Sequence, residues 1–257
     1  MPSELDQVKY DVAVANRVLV ELGLATGVLI SLGHASLRVP SQPDRFVVKG
    51  RGYDIDALAR MRPEDMVVCD LDGYKVDGPP GATPCFEVKM HSCIYRARPD
   101  VQSIVHAHPR YAVVLSVLEQ TLVPMCQEGI DLVRRPLPLY PHVKTILSEE
   151  EGRDVAAALG DAPAILLQGH GATTTGDSLG ESVMRMAWLE EQAKMNWYAY
   201  CAAGKDYPRI PEALIAEMEN RPQVADLDHL KSATGTDKSV RLSGAWAHYT
   251  DLVSREL

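Results

Sequence analysis

Ser103-Ile104-Val105-His106-Ala107-His108, closed by Pro109, and Ala164-Ile165-Leu166-Leu167-Gln168, closed by Gly169-His170-Gly171, set the architecture of this chain. Both are short apolar runs of strand length, and the second reads as a buried strand. Helical periods surround them. Glu87 to Arg98 is helical and stops at Pro99, Arg110 to Leu118 follows, and Ser148 to Leu159 opens on a capping box of Ser148 and Glu151. Leu179 to about Cys201 is the longest helix.

Further out, apolar residues at Val8, Val12, Ala15, Val18, Leu19 and Leu22 predict an N-terminal helix ending at Gly23. Leu37 to Pro40, Arg45 to Val48 and Met66 to Cys69 are short strand-like runs. Asp72-Gly73 signals a hairpin, and Gly50 and Gly52 mark a loop after Val48. Asp77-Gly78-Pro79-Pro80-Gly81 is a loop, and a further helix covers Pro211 to Met218. Helices spaced between many short strands predict an α/β fold of three α/β/α layers. No Gly-rich linker divides the chain, so residues 1–257 are expected to form one domain. Its core spans about 8–203, with a C-terminal helical extension over about 205–257.

The 257 residues carry a net charge of −9, which disfavours nucleic acid as a partner. Hydrophobic residues make up 46% and charged residues 24%, as in globular proteins. Five cysteines form no CxxC pair, and the odd count argues against a secreted disulfide framework. The N-terminus lacks the pattern of a signal peptide, and no apolar run reaches the roughly 18 residues of a membrane span. A reduced cytoplasm is the expected location.

His106 and His108 stand at i and i+2 of a strand, so both project from one face about 6–7 Å apart and can converge on one ion. Neutral imidazole suits Zn, Mn, Fe or Co, and three protein ligands leave positions for substrate. His170 supplies the third ligand, because it follows a buried strand directly and its two glycines let the backbone turn tightly. An isolated HxH is more often two satisfied polar residues at a strand end; the GHG turn shifts the balance to one divalent metal per chain. Glu87 and His91, at i and i+4, share a helix face, with Glu87 expected in the first helical turn.

The run Glu87-Val-Lys-Met-His91-x-x-Ile94-Tyr95-x-x-Arg98-Pro99-Asp100-Val101, with Ile104-Val105-His106-Ala107-His108 and Gln168-Gly169-His170-Gly171, resembles the class II aldolase/adducin family over about residues 8–203. The resemblance implies a largely antiparallel central sheet and a homotetramer with active sites near subunit interfaces. It also implies that His106, His108 and His170 are metal ligands and Glu87 the acid/base residue, which in the family also touches the metal before substrate arrives.

Sugar-phosphate aldolases of that family cradle phosphate with a Gly-Asn-x-Ser loop, a Thr/Ser-Gly loop and a Ser-Ser pair before the catalytic Glu. Here the corresponding stretches are Gly33-His34-Ala35-Ser36, Val48-Lys49-Gly50-Arg51-Gly52 and Pro84-Cys85-Phe86. Hydroxyl donors are lost, and His34, Ser36, Lys49 and Arg51 become the candidate substrate-binding residues. Lys49 and Arg51 either face a carboxylate, which an Arg fork matches, or are surface charges on a loop. The GH-x-S loop resembles the family's decarboxylase branch, so the leading expectation is a carbon–carbon lyase that decarboxylates a hydroxylated aromatic or heteroaromatic (di)carboxylate. The alternatives are an aldolase acting on an unphosphorylated hydroxy-acid or sugar, with a hydroxy-carbonyl substrate, and a non-catalytic adducin-like assembly module.

Overall fold

In the computed structural model, residues 2–222, 226–230, 238–255 and 257 are described. Residues 223–225 and 231–237, part of the expected C-terminal extension, lie outside the described residues. The first helix, α1 (Glu4–Glu21), starts at a capping box between Ser3 and Asp6 and buries Val8, Val12, Ala15, Val18 and Leu19, the stripe its period predicts. The other helices are α2 (Val88–Ala97), α3 (Arg110–Val117), α4 (Ile130–Val133), α5 (Glu149–Leu159), α6 (Leu179–Ala203), α7 (Glu212–Glu219) and α8 (Lys238–Ser254). None of those described is long and apolar enough to cross a membrane.

Among the described residues nine strands form the sheet: β1 (His34–Val39), β2 (Gln42–Arg51), β3 (Met66–Asp70), β4 (Lys75–Asp77), β5 (Thr83–Pro84), β6 (Ser103–Ala107), β7 (Leu139–Tyr140), β8 (Ala164–Leu167) and β9 (Gly171–Gly176). The spatial order is β4-β3-β2-β1-β6-β9-β8-β7, with β5 on β2. Every pairing is antiparallel except β7 with β8. Side chains alternate between two apolar layers. Ala35, Val47, Val105, Ala107 and Leu166 join α1, α3 and α6 on one face. Phe46, Val48, Ile104, Ile165 and Leu167 join α2 and α5 on the other. The expected three-layer α/β/α arrangement is the one observed.

Two segments depart from the expectations. The strand β9 follows His170 immediately, where the sequence shows only a glycine break; its three consecutive threonines, Thr173, Thr174 and Thr175, are buried. Strand β2 runs on through Gly50 to Arg51 in place of the expected loop, so Lys49 is a strand residue. Gly50 is tolerated there because the position is crowded rather than mobile: a Cβ would stand 2.3 Å from the Tyr53 hydroxyl and 2.7 Å from the Asp65 carbonyl. The final residues, which carry no clear sequence pattern, include α8, packed on α1 and α6.

The packing of α2 against α5 positions the start of α2. Gly152 of α5 sits against α2 so closely that a Cβ would lie 2.6 Å from the Lys89 carbonyl oxygen and 2.8 Å from Cys93 Sγ. Gly to Ala in a helix interior ordinarily gains about 1 kcal/mol. Here the backbone contact reverses the sign, and we expect Gly152→Ala to cost about 1–3 kcal/mol, as overpacking does. Urea unfolding checks this; a gain in stability would show that the two helices separate freely.

Candidate metal centre

Strand register brings the centre together. His34 opens β1 opposite His106 of β6, and His106 lies opposite Thr173 of β9. His106 shares its face with Ile104, so it points into the layer containing α2 and α5. His108 lies one residue past the end of β6, before Pro109 caps α3. His170 occupies the turn from β8 to β9. Gly169 there has φ +68°, and a Cβ on Gly171 would lie 2.5 Å from the Ala107 carbonyl and 3.0 Å from His106 Cε1. The GHG sequence is therefore needed twice, for a left-handed turn and for close approach to β6.

Glu87 is the residue immediately before α2 rather than within its first turn, and its carboxylate makes no capping bond to that helix. Oε1 accepts from the Ile146 amide at 3.1 Å and lies 3.5 Å from His170 Nε2. Oε2 lies 3.2 Å from His106 Nε2 and 3.5 Å from His34 Nε2. The rings of His106, His108 and His170 form a near-equilateral triangle with centroids 4.9–5.0 Å apart.

The donor set fits a divalent cation. One nitrogen from each of these three histidines and a Glu87 oxygen all lie within 4.8 Å of one another. His106 Nε2 and His108 Nε2 are 3.2 Å apart. Two nitrogens bound tetrahedrally to one ion at 2.0–2.1 Å stand about 3.3 Å apart. The tautomer of His106 agrees: the Thr173 hydroxyl donates to Met90 Sδ at 3.3 Å and so accepts from His106 Nδ1–H at 3.1 Å. That leaves the Nε2 lone pair facing the cluster. His170 Nδ1 is the buried side-chain polar atom that has no partner among the described residues.

Burial pulls His106 well below its ordinary pKa, against the attraction of Glu87. Burial and then His170 pull His108 down to about 4. Both are held as neutral imidazoles, the form that ligates metal. Burial works against ionisation of Glu87, but His106, His34 and His170 outweigh it and hold the carboxyl below its usual range.

Of the expected substrate-binding residues, only His34 touches this cluster. Ser36 lies behind it, wholly buried, with its hydroxyl 2.7 Å from His91 Nδ1 and 2.8 Å from the Tyr95 hydroxyl. Lys49 is neither a loop charge nor a free cation. Its side chain is 0% exposed, and its amino group donates to Asp56 Oδ1 at 2.9 Å and to the Ser31 carbonyl at 3.0 Å. Arg51 bridges to Asp56 at 2.8 Å and lies 4.3 Å over the ring of Phe86, the exposed neighbour of Glu87. Thr173, unanticipated, was hidden because β9 carries no helical or alternating period. Two open clefts of about 740 Å³ lie elsewhere, one beside Trp246 and one beside Arg62; donor chemistry rather than cavity size locates the site.

The profile of the Class II Aldolase and Adducin N-terminal domain matches residues 10–197. The chain belongs to the class II aldolase and adducin family. Among its relatives, a 3,4-dihydroxyphthalate decarboxylase of Rhodococcus jostii (strain RHA1) is 31% identical over 79% of this chain and 84% of its own. A protein of the same name from Arthrobacter keyseri is 29% identical over 91% and 94%. Solved class II aldolase structures repeat the fold. An aldolase II superfamily protein from Pseudomonas syringae superposes with TM-score 0.78 over 100% of this chain and 95% of its own, at 22% identity. The L-fuculose-1-phosphate aldolase from Thermus thermophilus gives 0.63 at 29% identity, over 81% and 100%.

With its histidine pKa lowered, the metal-free protein is expected to be acid-sensitive. The unfolded chain takes up the His108 proton near 6.5, the folded one only near 4. Its contribution is thus complete above pH 6.5 and is lost as pH falls towards 4. We expect the Tm of chelator-treated protein to fall across that window, and His108→Gln to flatten the slope. Equal slopes in the two proteins would remove His108 from the buried cluster.

Proposed function

We propose that this chain is a divalent-metal-dependent carbon–carbon lyase that decarboxylates a hydroxylated aromatic or heteroaromatic carboxylate. The observation that carries the reading is the meeting of three imidazoles with the ionised Glu87. His106, His108 and His170 would hold one ion (Mn, Zn, Fe or Co), leaving positions open to substrate. Such an ion supplies Lewis acidity where negative charge builds on substrate oxygen as the carbon–carbon bond breaks.

Aromatic carboxylate is favoured by the residues around Glu87. Cys85 is buried and Phe86 exposed, so neither supplies a hydroxyl to hold phosphate, while Arg51 over the Phe86 ring offers a planar donor beside an apolar surface. The decarboxylase relatives, named for a dihydroxylated dicarboxylate, support the same class.

Glu87 is ionised at rest, so it first acts as a base and takes the proton of the substrate hydroxyl entering the cluster. The bond to the carboxylate carbon then breaks, CO₂ leaves, and the electron pair stays on the ring carbon. Glu87 returns its proton to that carbon. A solvent proton restores the hydroxyl as product departs, which closes the balance. His34, in contact with Glu87, and Arg51 orient the substrate.

The reading extends to a one-domain subunit of a homotetramer in the cytoplasm. Exposed Val28, Ile55, Val143 and Leu147 support assembly, and five free cysteines support a reducing compartment.

Purified protein is expected to carry about one divalent ion per chain, absent from His108→Ala. With hydroxyaromatic acids it releases CO₂, and Glu87→Gln keeps the metal while turnover falls about 10²–10⁴-fold. Carbonyl product without CO₂ would instead establish an aldolase. Protein that binds no metal and turns over neither substrate class would be an assembly module.

A further inference from the structure

Behind His34 a single file of polar side chains runs from the metal centre into the core. His34 Nε2 faces Glu87 Oε2 at 3.5 Å, and His34 Nδ1 meets His91 Nε2 at 2.7 Å. His91 Nδ1 meets Ser36 Oγ at 2.7 Å, Ser36 Oγ meets the Tyr95 hydroxyl at 2.8 Å, and that hydroxyl lies 3.3 Å from the Gln102 carbonyl. His91 and Ser36 are wholly buried and Tyr95 almost so. Arg38 closes the far end, its guanidinium 4.6 Å from the Tyr95 ring and donating to the Tyr95 carbonyl at 2.9 Å. His91 is wholly buried and His34 nearly so, away from the water that a cationic ring needs, so each ring carries one proton.

Counting donors gives the file a direction. The ionised carboxylate of Glu87 only accepts, so the proton of His34 belongs on Nε2. His34 Nδ1 must then accept from His91 Nε2–H, His91 Nδ1 from the Ser36 hydroxyl, and Ser36 Oγ from the Tyr95 hydroxyl. With the opposite direction, His34 Nε2 would turn a lone pair to Glu87 Oε2, which already faces the unprotonated Nε2 of His106 at 3.2 Å, and no ring proton would stand on that side of the carboxylate. The Tyr95 hydroxyl has two acceptors within reach, Ser36 Oγ at 2.8 Å and the Gln102 carbonyl at 3.3 Å, and the first direction assigns its proton to the nearer one.

We infer that Tyr95, Ser36 and His91 are positioning residues that lock His34 as an Nε2–H donor to Glu87. Two results follow. His34 stacks on His106 at a centroid distance of 5.2 Å, yet it cannot become a fourth imidazole ligand, because the nitrogen that faces the cluster is protonated. His34, His91 and Cys85 also have the spacing of a second metal site, but the two ring nitrogens that face each other already share a proton. The site therefore keeps one ion and a fixed donor beside it. That donor steadies Glu87 as a carboxylate after each proton delivery, which is the part of the inference that rests on the proposed reaction.

The test reads the tautomers directly. Protein labelled with ¹³C,¹⁵N-histidine and freed of metal is examined by magic-angle-spinning NMR, with His34→Gln and His91→Gln assigning the signals. Both rings are expected as Nε2–H, and Tyr95→Phe is expected to give His91 a mixture of tautomers. Nδ1–H at either histidine in the wild type overturns the inference, as does a metal content of two per chain. This readout needs no substrate, so it stands or fails apart from the decarboxylase reading. Kinetics supply a second arm. A glutamine at 91 can donate to His34 and accept from Ser36, whereas a leucine can do neither. We expect His91→Leu to lower kcat roughly 10–100-fold, as loss of an outer-shell partner does, and His91→Gln to recover most of it at unchanged KM and metal content. Equal kcat in the two variants would reduce His91 to a packing residue. Should His91→Leu fail to fold, the Tyr95→Phe tautomer mixture decides.

Discussion

A carboxylate buried beside three imidazoles is the constraint on which this molecule depends. Placing Glu87 away from water is costly unless its charge is answered by hydrogen bonds or cations. The fold answers it with the Ile146 amide and with His34, and gathers three imidazoles that would hold a cation against it. Those groups come from widely separated parts of the chain, so they meet only when β1, β6 and the β8–β9 turn are in register. The need to hold one charge thus couples the two halves of the sheet.

The layers serve that placement. The β6 alternation turns Val105 and Ala107 to the core formed by α1, α3 and α6, and Ile104 and His106 to the opposite core. The centre is therefore embedded in the smaller layer, beneath the start of α2, and the close contact at Gly152 decides how far α2 reaches. Small residues at two points, Gly152 and Gly171, carry as much positional information as the histidines, because any side chain there would separate the elements that bear the cluster.

The meeting of the three histidines and the layered fold were legible from residue pattern alone. His106 and His108 share a strand face, His170 follows an apolar run between glycines, and the helices announce themselves by period and capping boxes. What stayed hidden depends on partners distant in sequence. Strand β9 has neither an alternating nor a helical pattern, since all three of its threonines are buried, so Thr173 could not be seen as the residue that sets the tautomer of His106. Ser36 and Lys49 look like substrate contacts by position; only the register shows one turned towards His91 and the other paired with Asp56. Glu87 lies one residue before its helix, and that small shift frees its carboxylate from capping duty.

The pairing of Asp56 with two cations has an electrostatic consequence. One carboxylate shared by Lys49 and Arg51 leaves one positive charge over, next to Cys85 and opposite in sign to the ionised Glu87. The molecule as a whole bears −9, so an anion far from it meets a repulsive field. Within about 10 Å, the screening distance at 0.1 M salt, the two cations beside Glu87 offset that field. Dissolved ions therefore act on encounter in two opposing ways, weakening the distant repulsion and this nearby offset together.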